Sequence, residues 1–272
     1  MRLNNTPTVL TIAGSDPYGG AGIQVDAKVI HALGGYAFSM ITAMTAQNSR
    51  GVVNVISTPI EQFRLQLHTL LDDVNVDAVK IGMLANKDII EVVSQAIVKY
   101  RLKNIVLDTV LVSSSGKLLL EKDAIEVMVK KLFPLVTLIT PNIPEVNTLL
   151  NSKYLANKSD IEVMSQGLFL LGAKNILIKG GHSLDNAYAT DYLIDITHNI
   201  ESFTSKRLQT SHTHGTGCVL SSAIATELAK GSPLPMAIKK AKIFLFTSMQ
   251  EAKEELNLSY HQESKKRREP LL

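Results

Sequence analysis

The chain has 272 residues, 45% hydrophobic and 19% charged, enough for a sizeable core in one large α/β domain or two small ones. Its net charge of +3 is too mild to imply nucleic acid, and its single cysteine excludes an intrachain disulfide and suits a reducing compartment. No apolar run approaches the ~20 residues of a membrane span, and the N-terminal residues lack an apolar signal core, so a cytoplasmic protein with no membrane partner is expected.

Residues 9–13 form a short apolar run ended by Gly14 and read as a buried strand. A loop with Gly14, Gly19, Gly20 and Gly22 then opens a helix over about 21–33. These glycines spell neither a dinucleotide fingerprint nor a P-loop, so they mark a flexible turn or a place where backbone meets ligand. Asp26, one turn into that helix, reads as a surface acid that complements the helix dipole. Residues 36–46 are a second strand closing on Gln47, 61–71 a helix, and 77–81 a strand ended by Gly82-Met83. A helix over 87–100 takes Asn86 as its N-cap. Strands follow at 104–107, abutting Asp108, and at 135–139, ended by Thr140-Pro141-Asn142-Ile143-Pro144-Glu145. Between them lie a loop at 113–116 and a helix over 124–132. Pro144 suits the first turn of the next helix. A helix over 160–171 leads to a strand at 175–178 ended by Lys179-Gly180-Gly181-His182. Residues 188–196 and 201–205 alternate like a hairpin or sheet edge.

His212-Thr213-His214-Gly215-Thr216-Gly217-Cys218 comes next, followed by a run of small and apolar residues that reads as a helix stopped by Gly231 and Pro233. A last helix is expected over 235–255. Glycines at a helix start let backbone N–H groups meet an anion, so this turn is the candidate anion hole, most plausibly for a phosphoryl group. Zinc bound by His212, His214 and Cys218 is a weaker alternative, because a fourth ligand is missing. A cysteine at a helix N-terminus is expected to have a lowered thiol pKa.

Strands alternating with helices predict a doubly wound, mostly parallel sheet whose ligands bind beyond the strands' carboxyl ends. There the sequence places Gly14, Gln47, Met83, Asp108, Asn142 with Glu145, and Lys179. Asp108 and Glu145 could hold Mg²⁺, Lys179 could neutralise phosphate, and Asn142 could position phosphate or water. Taken singly, Asp108 or Glu145 is more often an exposed cap and Lys179 usually a solvated strand end, and it is their co-occurrence at successive strand ends that points to a site.

Together these segments resemble the hydroxymethylpyrimidine/phosphomethylpyrimidine kinases of bacterial thiamine biosynthesis, in the ribokinase-like superfamily. The likeness rests on 11–17 with 19–26, Ile41-Thr42-Ala43, Ala46-Gln47-Asn48, Lys80-Ile81-Gly82-Met83-Leu84 and Leu107-Asp108-Thr109-Val110. Residues 140–145, 179–182 and 213–218 continue it in the same order. The resemblance implies a three-layer α/β/α sandwich with a mostly parallel central sheet, a single kinase domain over 1–258 and a tail over 259–272. It implies a homodimer that uses ATP and Mg²⁺ to phosphorylate a small pyrimidine and then its monophosphate. Gln47 would read the pyrimidine edge, and Gly14, Asp26, Met83 and Val110 would line its pocket. Asp108 and Glu145 would serve the metal, Asn142 and Lys179 the nucleotide, and Gly215, Thr216 and Gly217 the anion hole. Cys218 stands where many sugar kinases of that superfamily carry an Asp base, and would take the hydroxyl proton in the first phosphorylation. Val219 in place of a usual Thr, and the stretch 111–116, depart from the family pattern. A pyridoxal or pyridoxine kinase, a dual-specificity enzyme, and a catalytically silent sensor are the competing readings.

Overall fold

All the apolar runs read as strands form strands, in a computed structural model that describes residues 6–112, 119–155, 158–182, 187–208 and 213–252. The order is β1 (Thr8–Ser15), α1 (Gly22–Ala32), β2 (Tyr36–Asn48), β3 (Gly51–Ser57), α2 (Ile60–Asp73), β4 (Ala78–Ile81), α3 (Lys87–Lys99) and β5 (Ile105–Leu107). Then follow α4 (Lys122–Lys131), β6 (Leu138–Ile139), α5 (Ile143–Leu150), α6 (Lys158–Leu170), β7 (Ile176–Ile178), β8 (Tyr188–Ile194), β9 (Ile200–Lys206), α7 (Thr216–Ala229) and α8 (Leu234–Glu251). The expected loop at 113–116, His212, and the tail over 259–272 with its Lys265 to Arg268 cluster lie outside the described residues.

The strands make one sheet in the order β3-β2-β1-β4-β5-β6-β7-β8-β9. From β2 to β7 neighbours run parallel, whereas β3, β8 and β9 pair antiparallel at the two ends. The inner strands are apolar on both faces, because helices cover both. Leu10 and Ile12, Val79 and Ile81, Ile105 and Leu107, and Ile176 and Ile178 face a core shared with α2, α3, α4 and α6. The intervening Val9, Ala78, Val106, Leu138 and Leu177 face a second core shared with α1, α7 and α8.

Local chemistry sets the helix starts. The Asn86 side chain caps α3 by accepting from the Ile89 N–H at 3.1 Å. At α5, Asn142 and Glu145 form a reciprocal capping box with Pro144 in the first turn. β3 was not expected. It pairs only with β2 and its residues are half-buried or exposed, so it carries no continuous buried run. Among the described residues no helix is long and apolar enough to cross a membrane.

Candidate active site

The carboxyl ends of β1, β2, β4, β5, β6 and β7 open into one cavity of about 870 Å³. Parallel strands bring these ends to one edge of the sheet, and the loops beyond them leave the crevice open. Its wall contains every expected site residue except Asp26: Gly14, Gln47, Met83 and Val110 toward one end, Asn142, Glu145 and Lys179 toward the other, with Asp108, Gly215, Thr216, Gly217 and Cys218 also present.

Lys179 is the hub of the polar end. Its Nζ lies 2.7 Å from Asp108 Oδ1 and 4.0 Å from Glu145 Oε2. The strand-end bridge between Asn142 and Lys179, and the Lys179 N–H donating to the Pro141 carbonyl at 2.9 Å, hold the two loops together. Asp108 Oδ1 also accepts from Thr140 Oγ1 at 3.0 Å, and Ser221 Oγ lies 3.4 Å from Oδ2. Burial would raise the Asp108 pKa, but Lys179, Lys80 and the Thr140 hydroxyl outweigh it and hold the carboxyl below its ordinary value. The same burial acts on Lys179, where the two carboxylates reverse it and keep the ammonium charged.

Glu145 goes the other way. Burial, and repulsion from Asp108, raise its pKa to about 7 despite the Lys179 charge and bonds from the Asn142 N–H (2.8 Å) and Thr109 Oγ1 (3.0 Å). Those bonds occupy Oε2, and among the described residues Oε1 takes none. Two adjacent carboxylates, one reluctant to ionise, suit a hard divalent cation that relieves their repulsion. No group of three or more ligating His, Cys, Asp or Glu side chains occurs among the described residues, so such an ion would complete its shell with phosphate and water, as Mg²⁺ usually does. Asn142 commits its side-chain oxygen to the α5 cap, accepting from the Glu145 N–H at 2.9 Å, so its first duty is to hold Glu145 in place.

Gly215 caps α7 with φ +80°, and a Cβ there would lie 1.7 Å from the Gly20 carbonyl oxygen. The two glycine loops therefore touch backbone to backbone, at a separation only glycine permits. Thr216 turns its N–H (3.3 Å) and its hydroxyl (3.1 Å) back to the Thr213 carbonyl. Gly217 and Cys218 carry the next N–H groups of the first turn. A Cβ on Gly217 would come 3.2 Å from Asp108 Oδ2 and 3.4 Å from Lys179 Nζ, so the helix start opens onto the charged hub.

Cys218 corrects one expectation. Burial pushes its thiol up to about 11, helped by Asp26 and Asp108 and opposed by Lys80 and the Gly22 N–H. Desolvation and the two carboxylates outweigh the Lys80 charge and the Gly22 N–H, so the thiol pKa is raised and not lowered.

Asp26 is the second correction, and it is neither a pocket residue nor a surface acid. It is fully buried, and its carboxylate accepts from Lys80 Nζ (2.7 and 2.8 Å), Thr11 Oγ1 (2.6 Å) and Ser222 Oγ (2.7 Å). Thr11 and Lys80 pair across β1 and β4, on the face covered by α1 and α7. Lys80 has no expected role, although a lysine between the apolar Val79 and Ile81 is a readable sign of a buried charge. Asp16 and His214 were also missed as a pair. His214 Nε2 lies 3.1 Å from Asp16 Oδ2, and a loop carboxylate far from its partner in sequence gives no periodic signal. At the Gly14 end of the cavity, Met83 is buried with its sulfur 3.0 Å from where a Gly14 Cβ would stand.

The sequence profile of the family described as phosphomethylpyrimidine kinase matches residues 16–263. A hydroxymethylpyrimidine/phosphomethylpyrimidine kinase of Escherichia coli is 40% identical over 243 residues, covering 89% of this chain and 91% of that protein. A probable chloroplastic thiamine biosynthetic bifunctional enzyme of rice is 41% identical over 91% of this chain, but the chain spans only 45% of it. Among solved structures, the ADP complex of Bacillus subtilis pyridoxal kinase superposes with a TM-score of 0.83 at 34% identity, covering 92% of this chain and 93% of that one. A phosphomethylpyrimidine kinase of Clostridium difficile gives 0.78 at 37% identity, covering 89% and 99%. The architecture shared with these structures is the ribokinase-like fold.

Proposed function

Because this chain belongs to the phosphomethylpyrimidine kinase family, we propose that it phosphorylates 4-amino-5-hydroxymethyl-2-methylpyrimidine with ATP, and then phosphorylates the monophosphate to the diphosphate used in thiamine synthesis. The observation that carries this reading is the single cavity that joins an amide-bearing end at Gln47 to the Asp108–Lys179–Gly217 hub. One ring and one triphosphate can meet there in a single crevice.

Phosphoryl transfer asks mainly for positioning and charge stabilisation. Lys179 and the first turn of α7 supply fixed positive charge at the group in flight. Asp108 and Glu145 would hold Mg²⁺, which neutralises phosphate charge when bound. Gln47 would grip the ring, with Gly14, Met83 and Val110 against its faces. In the first phosphorylation the Cys218 thiolate takes the hydroxymethyl proton as that oxygen bonds to phosphorus and ADP leaves. In the second step the attacking oxygen belongs to an anionic phosphate and needs no base. Two copies pairing as a cytoplasmic homodimer complete the reading, with exposed Met44, Val53 and Ile56 on the β2–β3 ribbon as apolar surface to cover. Val53→Glu should shift sedimentation toward a monomer.

The ADP-bound B. subtilis pyridoxal kinase superposes with most of this chain, which favours pyridoxal as the second acceptor to test. Coupled ADP release with Mg-ATP separates the readings. Turnover of hydroxymethylpyrimidine and its monophosphate with pyridoxal slow is expected. Turnover of pyridoxal alone would overturn the substrate, and silence on all three with retained pyrimidine binding would make the protein a sensor.

A further inference from the structure

Four side chains from three segments meet at the pyrimidine end of the cavity. His214 Nε2 lies 3.1 Å from Asp16 Oδ2 and 3.2 Å from the Gln47 side-chain Nε2. The Gln47 Oε1 lies 3.3 Å from Thr45 Oγ1, which in turn lies 2.9 Å from the Ser15 carbonyl oxygen. Asp16 is itself anchored, because its carboxylate accepts from the N–H groups of Tyr18 (2.9 Å), Gly20 (3.2 Å) and Ala21 (2.9 Å).

Proton counting decides how this cluster is wired. A carboxylate only accepts, so the nitrogen facing Asp16 must carry a hydrogen, whether or not His214 is charged. Burial would raise the Asp16 pKa, but the bonds from His214 and from the backbone hold it below its ordinary value, so Asp16 stays an acceptor. An Nε2–H cannot accept from the Gln47 amide nitrogen, whereas its one hydrogen, directed to Asp16, can be shared with an amide oxygen in a three-centre bond. Thr45 has one hydroxyl hydrogen, and the Ser15 carbonyl can only accept it. The lone pairs of Thr45 Oγ1 then face Gln47 and call for a donor. Both neighbours therefore favour the amide with its oxygen toward His214 and its nitrogen toward Thr45, a half-turn that leaves the side chain's shape unchanged.

We propose that Asp16, through His214, and Thr45 lock the Gln47 amide in one handedness, so that the pocket selects a ring offering an exocyclic amino group beside an unprotonated ring nitrogen. It thereby rejects the analogue offering a carbonyl beside a ring N–H. In the locked state the amide oxygen has one lone pair left and the nitrogen one hydrogen left. An aminopyrimidine edge satisfies both, whereas a pyrimidinone edge in the same pose sets oxygen against oxygen and N–H against N–H. Rotating the amide to suit the pyrimidinone breaks its contacts to His214 and Thr45. His214, Asp16 and Thr45 are positioning residues here, and the inference rests on the aminopyrimidine kinase reading.

The first test is the imidazole ¹⁵N spectrum of the ligand-free wild-type protein, with the His214 signal assigned from its loss in His214→Gln. A proton on Nε2 is expected. An unprotonated Nε2 overturns the proposal whatever the enzyme phosphorylates. The second test compares kcat/KM for hydroxymethylpyrimidine and for its 4-oxo analogue. The wild type should prefer the amino ring by about 10³-fold or more, and His214→Ala and Thr45→Val should each narrow that preference at least about tenfold, through KM with kcat held. His214→Gln, which keeps an N–H at similar reach, should restore much of the preference. An unchanged ratio in both variants, with the wild type active, overturns the lock and leaves the kinase reading standing. A wild type silent on the amino ring overturns that reading and the selectivity together.

Discussion

Cys218 and Glu145 are both displaced from their ordinary titration, and each displacement has a kinetic or binding signature. A thiol at about 11 is a thiolate in only a small fraction of molecules at neutral pH, and that fraction rises about tenfold per pH unit. With Mg²⁺ and ATP saturating, the first phosphorylation should therefore speed up by about that factor per unit between pH 7.5 and 9, above the Glu145 titration, while the second stays flat. Cys218→Ala should lower the first by ~10²-fold or more and leave the second within a few-fold. A first step with no slope in pH would remove Cys218 from proton transfer. For Glu145 the sign is opposite to that of an ordinary salt-bridged acid. Its native pKa of about 7 lies above the unfolded value of 4.5, so stability is full below 4.5 and falls as pH rises toward 7, by at most about 3 kcal/mol. A bound cation needs the carboxylate, so Mg²⁺ affinity measured by calorimetry with ATP should weaken as pH falls from 7 to 5. Affinity independent of pH would place the ion elsewhere. The motif residues at the strand ends were legible because each follows an apolar run directly. Asp26 was misplaced because a carboxylate one turn into a helix looks the same whether water or Lys80 lies beyond it.

At the scale of elements, α1, β4 and α7 are tied by the Lys80–Asp26–Ser222 contacts as well as by apolar packing. Lys80→Met leaves Asp26 charged and without its ammonium partner, and should cost about 3–5 kcal/mol in urea unfolding. The double variant Lys80→Met/Asp26→Leu should recover much of that loss, because no uncompensated charge remains. Failure to recover would mean that the pair is needed for more than mutual neutralisation. Gly215→Ala should be nearly inactive, since its methyl would collide with the Gly20 carbonyl and push the first turn of α7 off the Asp108–Lys179 hub. Intact kcat/KM would show that the two loops part easily. Helix positions were legible to within a few residues from 3.6-residue periodicity and caps such as Asn86. β3 was not, because an antiparallel edge ribbon shows neither continuous burial nor strict alternation.

For the whole molecule, one crevice collects residues from both halves of the sheet, from Gly14 at the end of β1 to Lys179 after β7. Ligands that bind there clamp the native state. Mg-ATP with a pyrimidine at about a hundredfold above Kd should add about 2.7 kcal/mol and raise Tm by about 5 °C or more. ADP alone should give less, and no shift with either would deny that the crevice binds them. Fold class was readable from the strand–helix alternation, and the parallel order followed from it. Which loops close on each other was not, because the partners are far apart in the chain.

That distance has a consequence for synthesis. Asp16 and His214 are 198 residues apart, and the Gly20–Gly215 contact spans a similar interval. At ~5–20 residues per second, the ribosome would take roughly 10–40 s to deliver the second loop after the first. Throughout that interval β1 and its glycine loop exist without the wall that completes the crevice. A nascent chain of this kind can have sheet and helices yet hold no triphosphate, so nucleotide affinity arrives only when α7 emerges, as one of the last events of folding.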